Sequence, residues 1–411
     1  MPVTRPKAIL FAYYFPPDNT SGVQRAARLA KYLPRCGVDL HVIASSHAGT
    51  DPARPGTLYV PAPKLHTAPA WEATARFVQR IVPYNECLEW AAHAVHTACR
   101  IADREPIAAV ISTSPPLGTH FAALFLKARY NLRWIADFRD PLCGNPGRSR
   151  RWAHPYDLSL ERAIFHSADA LVSVTDTVRD EWRTRYPRWR EKMHLVWNGF
   201  DPEETIRPLP IPPRAQRVLA HIGVLYRQRH PYKLLDVLDR LMCAGRLDPA
   251  KFRLAFLGPI QEGDRFEAHA AVKGLVGRGS LEIRGELVPR AEANHAMATA
   301  DFLLLIDIVN LGGSSYTVPA KIYDYILMGR PILALTGRQS PVERILLRSG
   351  VPHVCVYHND CGSAMETKLL RLAAMSSEPV TPSAWFLENF DGERQAAMFA
   401  DLVTQRGPDL V

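Results

Sequence analysis

The amino-acid sequence predicts a two-domain α/β protein, each domain a doubly wound, mostly parallel sheet with helices on both faces. Three observations carry this. Short apolar runs of strand length alternate with longer amphipathic stretches along nearly the whole chain, the pattern of βαβ units. The alternation stops once, at RPLPIPPR (207–214), where four prolines in eight residues can continue neither helix nor sheet, and then restarts. A length of 411 residues suits two domains of roughly 100–200 residues each.

The first half opens on an apolar run, 8–14, too short for a secretory leader with its cleavage site and read as the first buried strand. Helix 21–33 follows, then strand 39–44. Strands 108–111, 133–136, 170–174 and 194–196 come next, separated by helices such as 117–130 and 158–167. Beyond the proline-rich break, strands are expected at 218–222, 253–257, 281–283, 302–306, 331–334 and 353–356. Helices are expected there at 232–241, 290–300 and 319–327, and the stretch 385–406 reads as a last helix. The expected division is 1–206, 207–384 and 385–411.

Composition narrows the class. Hydrophobic residues make up 47% and charged residues 22%, ordinary for a globular chain that buries its own core. No apolar stretch approaches the roughly 18 residues of a membrane span. Seven scattered cysteines with no C-x-x-C pair argue against a disulfide framework or a zinc knuckle and suit a reducing cytoplasm. A net charge of +9 suits an anionic partner: nucleic acid, anionic lipid or a phosphate-bearing small molecule.

Ligands of open α/β sheets sit beyond the carboxyl ends of the strands, and with two such sheets the cleft between them is the expected site. Five loops qualify. After the first strand, Asp18, Ser21 and Gly22 open a helix whose amides suit an anion. After the strand at 108–111, His120 falls in the first helical turn, where it either binds a sugar hydroxyl or shuttles a proton, or lies on the helix surface. Asp137, Arg139 and Asp140 follow the next strand and either meet an acceptor hydroxyl, orient His120, or pair to fix the loop. At the start of the second half, Gly223 permits close backbone approach, and Arg227, Arg229 and Lys233 bring cations suited to phosphate. Last, a Gly/Ser loop from Gly312 leads through Tyr316, Thr317, Val318 and Pro319 into a helix with Lys321 and Asp324 in its opening turns. Lys321 opposes the helix dipole there, which favours a bound anion.

At these residues the chain resembles the GT-B glycosyltransferases, specifically the large retaining family that includes sucrose synthases and many bacterial polysaccharide and lipid-linked sugar transferases. The resemblance runs through FPPDNTSGVQRAARLAKYL, STSPPLGTHFAALFLKARY, IADFRDP, WNGFDPEE, HIGVLYRQRHPYKLLDVL and VPAKIYDYILMGRPILAL. It implies two Rossmann-like domains facing across a cleft, with the last helix crossing back to the first. It also implies transfer of a sugar from a nucleoside-diphosphate donor to an acceptor hydroxyl, with no cofactor and no metal.

By position, Arg229 and Lys233, with Arg227 in competition, resemble the family's cations on the donor diphosphate. The amides from Val318 to Lys321 resemble its helix-end clamp. Asp324 matches the second acid of an E-x7-E motif and would hold the ribose. His120 resembles the histidine that faces the transferred sugar, and Gly22 the glycine near diphosphate and acceptor. One departure stands out: the first acid of E-x7-E falls at Tyr316, eight positions before Asp324. That substitution leaves a second reading, a non-catalytic nucleotide- or carbohydrate-binding protein on the same scaffold.

The stretches Trp182–Arg190 and Arg148, Arg150, Arg151 with Trp152 suit an anionic membrane surface or a solvated basic one. The membrane reading favours a sugar, glycolipid or lipid-linked acceptor, in polysaccharide, lipopolysaccharide or glycolipid assembly at the inner face of the plasma membrane. Nucleic acid is not expected as a partner, because the basic residues gather at strand-end loops and not along one stripe.

Overall fold

A computed structural model describes residues 5–18, 22–52, 54, 56–61, 83–145, 148, 150–226, 229–307 and 316–405. It divides into two compact units, 1–202 with 389–411, and 203–388. The divisions fall four residues before and four residues after those expected at 206 and 384.

In unit 1, seven parallel strands lie in the order β3-β2-β1-β4-β5-β6-β7. They are β1 Lys7–Ala12, β2 Asp39–Ser45, β3 Thr57–Val60, β4 Ala109–Ser114, β5 Arg133–Phe138, β6 Ala170–Ser173 and β7 Met193–Leu195. Five of the six residues of β1 and all six of β4 are buried, because helices cover both faces of a parallel sheet. The edge strand β3 escapes the sequence pattern: four residues, one exposed, beside a turn.

The stretch 385–406 is two helices, Ala384–Asn389 and Gly392–Thr404, not one. The first ends at Asn389, and Asp391 caps the second, accepting from the amides of Glu393 and Arg394. The second helix joins the core of unit 1, where Phe399, Leu402 and Val403 pack with Leu29 and Tyr32. Its entry passes so close to Gly199 that a Cβ there would lie 1.9 Å from the Phe390 carbonyl oxygen. That approach accounts for the glycine.

In unit 2, six parallel strands lie in the order β10-β9-β8-β11-β12-β13. They are β8 Arg217–Ile222, β9 Phe252–Leu257, β10 Leu281–Arg284, β11 Phe302–Ile306, β12 Ile332–Thr336 and β13 His353–Tyr357. The proline-rich segment lies against this unit. The Leu209 amide donates to Ala298, and buried Arg330 donates to the carbonyls of Leu209 and Ser377. Among the described residues no helix is long and apolar enough to cross a membrane.

Both strand orders reverse direction once, between β1 and β4 and between β8 and β11. A sheet of this kind opens a crevice at its reversal point, beyond the carboxyl ends of the strands. The candidate residues are therefore those just after β1 and β4 in one unit and after β8 and β11 in the other.

Two candidate half-sites at the strand-order reversals

In unit 1 most of the expected polar side chains hold the strand ends together. Asp137 on β5 is fully buried, and its carboxylate takes both arms of the Arg25 guanidinium, at 2.7 and 2.8 Å, and the Thr113 hydroxyl at 2.7 Å. Arg25 also donates to the carbonyls of Val196 and Trp197. Asp137 is thus committed to a buried ion pair and does not orient His120. Arg139 spends its donors on three carbonyls, those of Gly22, Ser114 and Pro115, and so staples the loops after β1 and β4. It is a loop fastener and not an acceptor contact. Gly22 belongs to the same fastening: a Cβ there would lie 2.6 Å from Arg139 Nη1. Asp140 lies half-buried beside this arginine.

His120 is neither on the helix surface nor a proton shuttle. It is 1% exposed and packs on the Phe138 ring at 4.5 Å between centroids. Its Nδ1 is 2.7 Å from the Ser112 hydroxyl, which also accepts from Trp134 Nε1. Burial pushes its pKa down to about 3, so the imidazole stays neutral. Its Cε1 proton resonance is accordingly expected to hold constant from about pH 8 to about pH 5. A titration midpoint inside that window would contradict the buried, neutral placement.

The side chains that do gather at the end of β1 are aromatic. Tyr13 stacks on His47 at 5.1 Å, and Tyr14 meets the same imidazole edge-on at 5.9 Å. Asp18, nearly buried, stands 3.2 Å from His47 Nε2. Tyr13 and Tyr14 were hidden in the sequence by continuing an apolar run, and His47 by following a strand with no motif. Ser21 lies outside the described residues.

The basic-aromatic stretch Trp182–Arg190 is only partly at the surface: Arg188 and Arg190 are exposed, and Trp189 is half-buried. Trp182 is 1% exposed, packed between Phe138 and Phe165, and Arg185 is paired with Glu161 and Glu181. Trp152, by contrast, is 67% exposed, with Arg150 at 6.0 Å from its ring.

In unit 2 the end of β8 collects cations. Gly223 takes a left-handed backbone, φ +99°, and Gly258 after β9, at φ +132°, packs against it; a Cβ on Gly258 would fall 2.8 Å from Gly223 carbonyl carbon. The short helix Lys321–Leu327 is tied to the same place, because the Tyr325 hydroxyl accepts from the Ile222 amide at 3.1 Å. Lys321 opens that helix and reaches over Gly223, whose Cβ would stand 3.3 Å from Lys321 Nζ. Nζ donates to His221 Nε2 at 3.0 Å, and His221 Nδ1 meets the Leu304 carbonyl at 2.9 Å.

Burial first, and then the positive charge of Arg229, pull the Lys321 pKa down to about 7. Among the described residues no carboxylate forms an ion pair with it. Arg229 lies in the same loop, its guanidinium 5.4 Å from the Tyr226 ring.

Lys233 is placed differently from expectation: its exposed side chain donates to the Asp360 carbonyl, in a loop held by Lys368 and the Tyr357 amide. Just beyond the expected helix-end clamp at Val318 to Lys321, the amides of Ile322 and Tyr323 turn back to Pro319 and Ala320. Tyr316, Thr317 and Val318 are half-buried on the approach to the helix, Pro319 is buried, and Asp324 sits in the first turn. Arg227 and residues 308–315, with Gly312, lie outside the described residues. Sequence reasoning passed over His221, which carries no motif and is legible only once β11 is known to lie beside β8.

Residues 21–204 match the family model of Glycosyltransferase Family 4. Sucrose-phosphate synthase from Thermosynechococcus elongatus aligns with 96% of this chain and 95% of its own, at 13% identity and a TM-score of 0.60. Anabaena HepE in complex with UDP and glucose aligns over 97% of this chain and 99% of its own, at 12% identity and 0.61. WaaG, a glycosyltransferase involved in lipopolysaccharide biosynthesis, aligns over 97% and 100%, at 14% and 0.60. No curated protein matches by sequence. The fold is that of the GT-B glycosyltransferases, and the family match covers residues 21–204.

Proposed function

We propose that this protein of GT-B fold is a glycosyltransferase that takes its sugar from a nucleoside-diphosphate donor held at the end of β8 in unit 2. The observation that carries this is the meeting of Lys321 and Arg229 at the strand-order reversal, with a neutral imidazole and no carboxylate on the lysine. A lysine held over bare glycine backbone, with the Arg229 charge near enough to act on it, favours an anion of matching charge, and a diphosphate supplies it. HepE, of the same fold, was solved with UDP. Asp324 is the proposed ribose contact.

As the bond to the donor sugar breaks, negative charge gathers on the leaving diphosphate. Fixed cations stabilise that charge more than the ground state, which is where rate acceleration arises. Lys321 and Arg229 supply the countercharge in place of a divalent metal. Tyr13, Tyr14 and the Asp18–His47 pair in unit 1 are the proposed acceptor contacts, aromatic faces for a sugar ring and a carboxylate–imidazole pair for its hydroxyls. The proposed stereochemistry is retention, with the donor phosphate taking the acceptor proton on the same face. A glycolipid or lipid-linked acceptor at the cytoplasmic membrane surface, approached by exposed Trp152, completes the reading.

A second reading has its own support: Tyr316 stands where relatives carry an acid, as a binding protein without catalysis would allow. A thermal-shift panel of UDP, GDP, ADP, CDP and dTDP, with and without EDTA, tests the first step. One nucleotide is expected to raise the melting temperature, equally in EDTA. No shift with any of them sinks the donor assignment; binding without turnover of the matching sugar nucleotide favours the second reading.

A further inference from the structure

His221 is 2% exposed in the penultimate position of β8, with the Phe256 ring 5.8 Å away. A buried imidazole needs partners for both nitrogens, and here the partners fix its tautomer. The Leu304 carbonyl on β11 only accepts, so Nδ1 carries the proton. Nε2 is then an acceptor, and the Lys321 ammonium is a pure donor. Burial and the two nearby cations hold the imidazole pKa well below its ordinary value, so His221 stays neutral.

A neutral acceptor differs from a carboxylate in one consequence. It aims the lysine without cancelling its charge. Gly223 puts no side chain of its own beside the amine: a Cβ there would stand 3.2 Å from Lys321 Cε. The titratable and charged groups around the amine are His221 on β8, Arg229 in the loop that follows, and Asp324 and Tyr325 on its own helix. From β11 the contact is the Leu304 carbonyl, through His221.

We propose that His221 is a positioning residue of the diphosphate site: its neutral Nε2 holds Lys321 beside Gly223 without a counter-charge, and an arriving diphosphate draws a proton from solvent onto that amine. This rests on the donor reading above. The proton goes to Lys321 because a diphosphate within reach favours the ammonium, while burial and Arg229 disfavour it in the empty site. Donor binding is therefore linked to proton uptake near neutral pH.

Competitive acetylation with acetic anhydride across a pH series, read by mass spectrometry on the full chain, tests both halves. Inorganic pyrophosphate is the probe, since it needs no knowledge of the base. The wild-type midpoint for Lys321 is expected near 7, far below the ordinary lysine value of 10.5. Pyrophosphate should raise that midpoint and protect the residue. In His221→Leu the unheld side chain swings to solvent, its midpoint climbs to the ordinary lysine value, and protection is lost. His221→Gln, which offers both a donor and an acceptor, should restore the low midpoint.

A folded His221→Leu protein with wild-type midpoint and protection overturns the positioning role. A wild-type midpoint at the ordinary lysine value of 10.5 overturns it without any variant. A low midpoint that pyrophosphate neither raises nor protects overturns the link to diphosphate and leaves the His221–Lys321 geometry standing; the nucleotide panel then decides the donor reading separately.

Discussion

Asp137→Asn is expected to lower the stability of the protein by about 3–5 kcal/mol, because it leaves Arg25 buried without its counter-charge. The substitution keeps the shape of the side chain and an oxygen for Thr113. What it removes is the charge that faces both arms of the guanidinium. Arg25 is 4% exposed, so water cannot replace the lost partner. For a unit of this size the loss corresponds to roughly 10 °C in melting temperature, which calorimetry reads directly. Replacing both partners by apolar residues, Arg25→Met with Asp137→Leu, should recover most of it, since desolvating an ion pair offsets much of its attraction. An Asp137→Asn protein that melts like wild type but loses turnover would instead make this carboxylate catalytic.

The second large effect has the opposite stability sign. Lys321→Met is expected to weaken nucleoside-diphosphate binding by roughly 10–100-fold, the worth of a charge-assisted hydrogen bond of about 1.5–3 kcal/mol. Adding Arg229→Ala should bring the affinity below detection. The empty protein should not lose stability and should gain some at neutral pH. The folded-state pKa of Lys321 is lowered from 10.5 to about 7, so between those values the unfolded chain binds more protons than the folded one. Stability therefore rises with pH from about 7 towards 10.5 in the wild type, and that part of the slope is lost in Lys321→Met. Calorimetric titration gives the affinity, and melting at several pH values gives the slope. A variant that binds nucleotide as wild type does would remove Lys321 from the site.

The two sheets were legible because buried parallel strands read as near-continuous apolar runs, and the proline-rich segment marked the division to within a few residues. Strand β3 was not legible, being short and at an edge. The break at Asp391 was overlooked because apolar residues on either side continue a helical pattern. The site was half legible. Loops after strands drew attention to Gly223 and Lys321, which the fold brings together, but a sequence does not say which polar side chain turns inward. Arg139 and Asp137 carry charges that suit a ligand, yet their partners are carbonyls and an arginine more than 100 positions away in the chain. Burial likewise made His120 a neutral core group. His221 shows the converse: an unmarked residue gains its role from Leu304 and Lys321, brought beside it only by the order β8-β11 and the docking of a seven-residue helix.

The central claim is that unit 2 binds the donor diphosphate at the end of β8. Hydrogen–deuterium exchange of the full chain, with and without the nucleoside diphosphate that most raises the melting temperature, tests it most directly. The expected result is slowed exchange at 221–233 and 316–325, with the Lys321→Met, Arg229→Ala protein showing none at the same concentration. Slowed exchange confined to unit 1, or a double variant protected like the wild type, would contradict it.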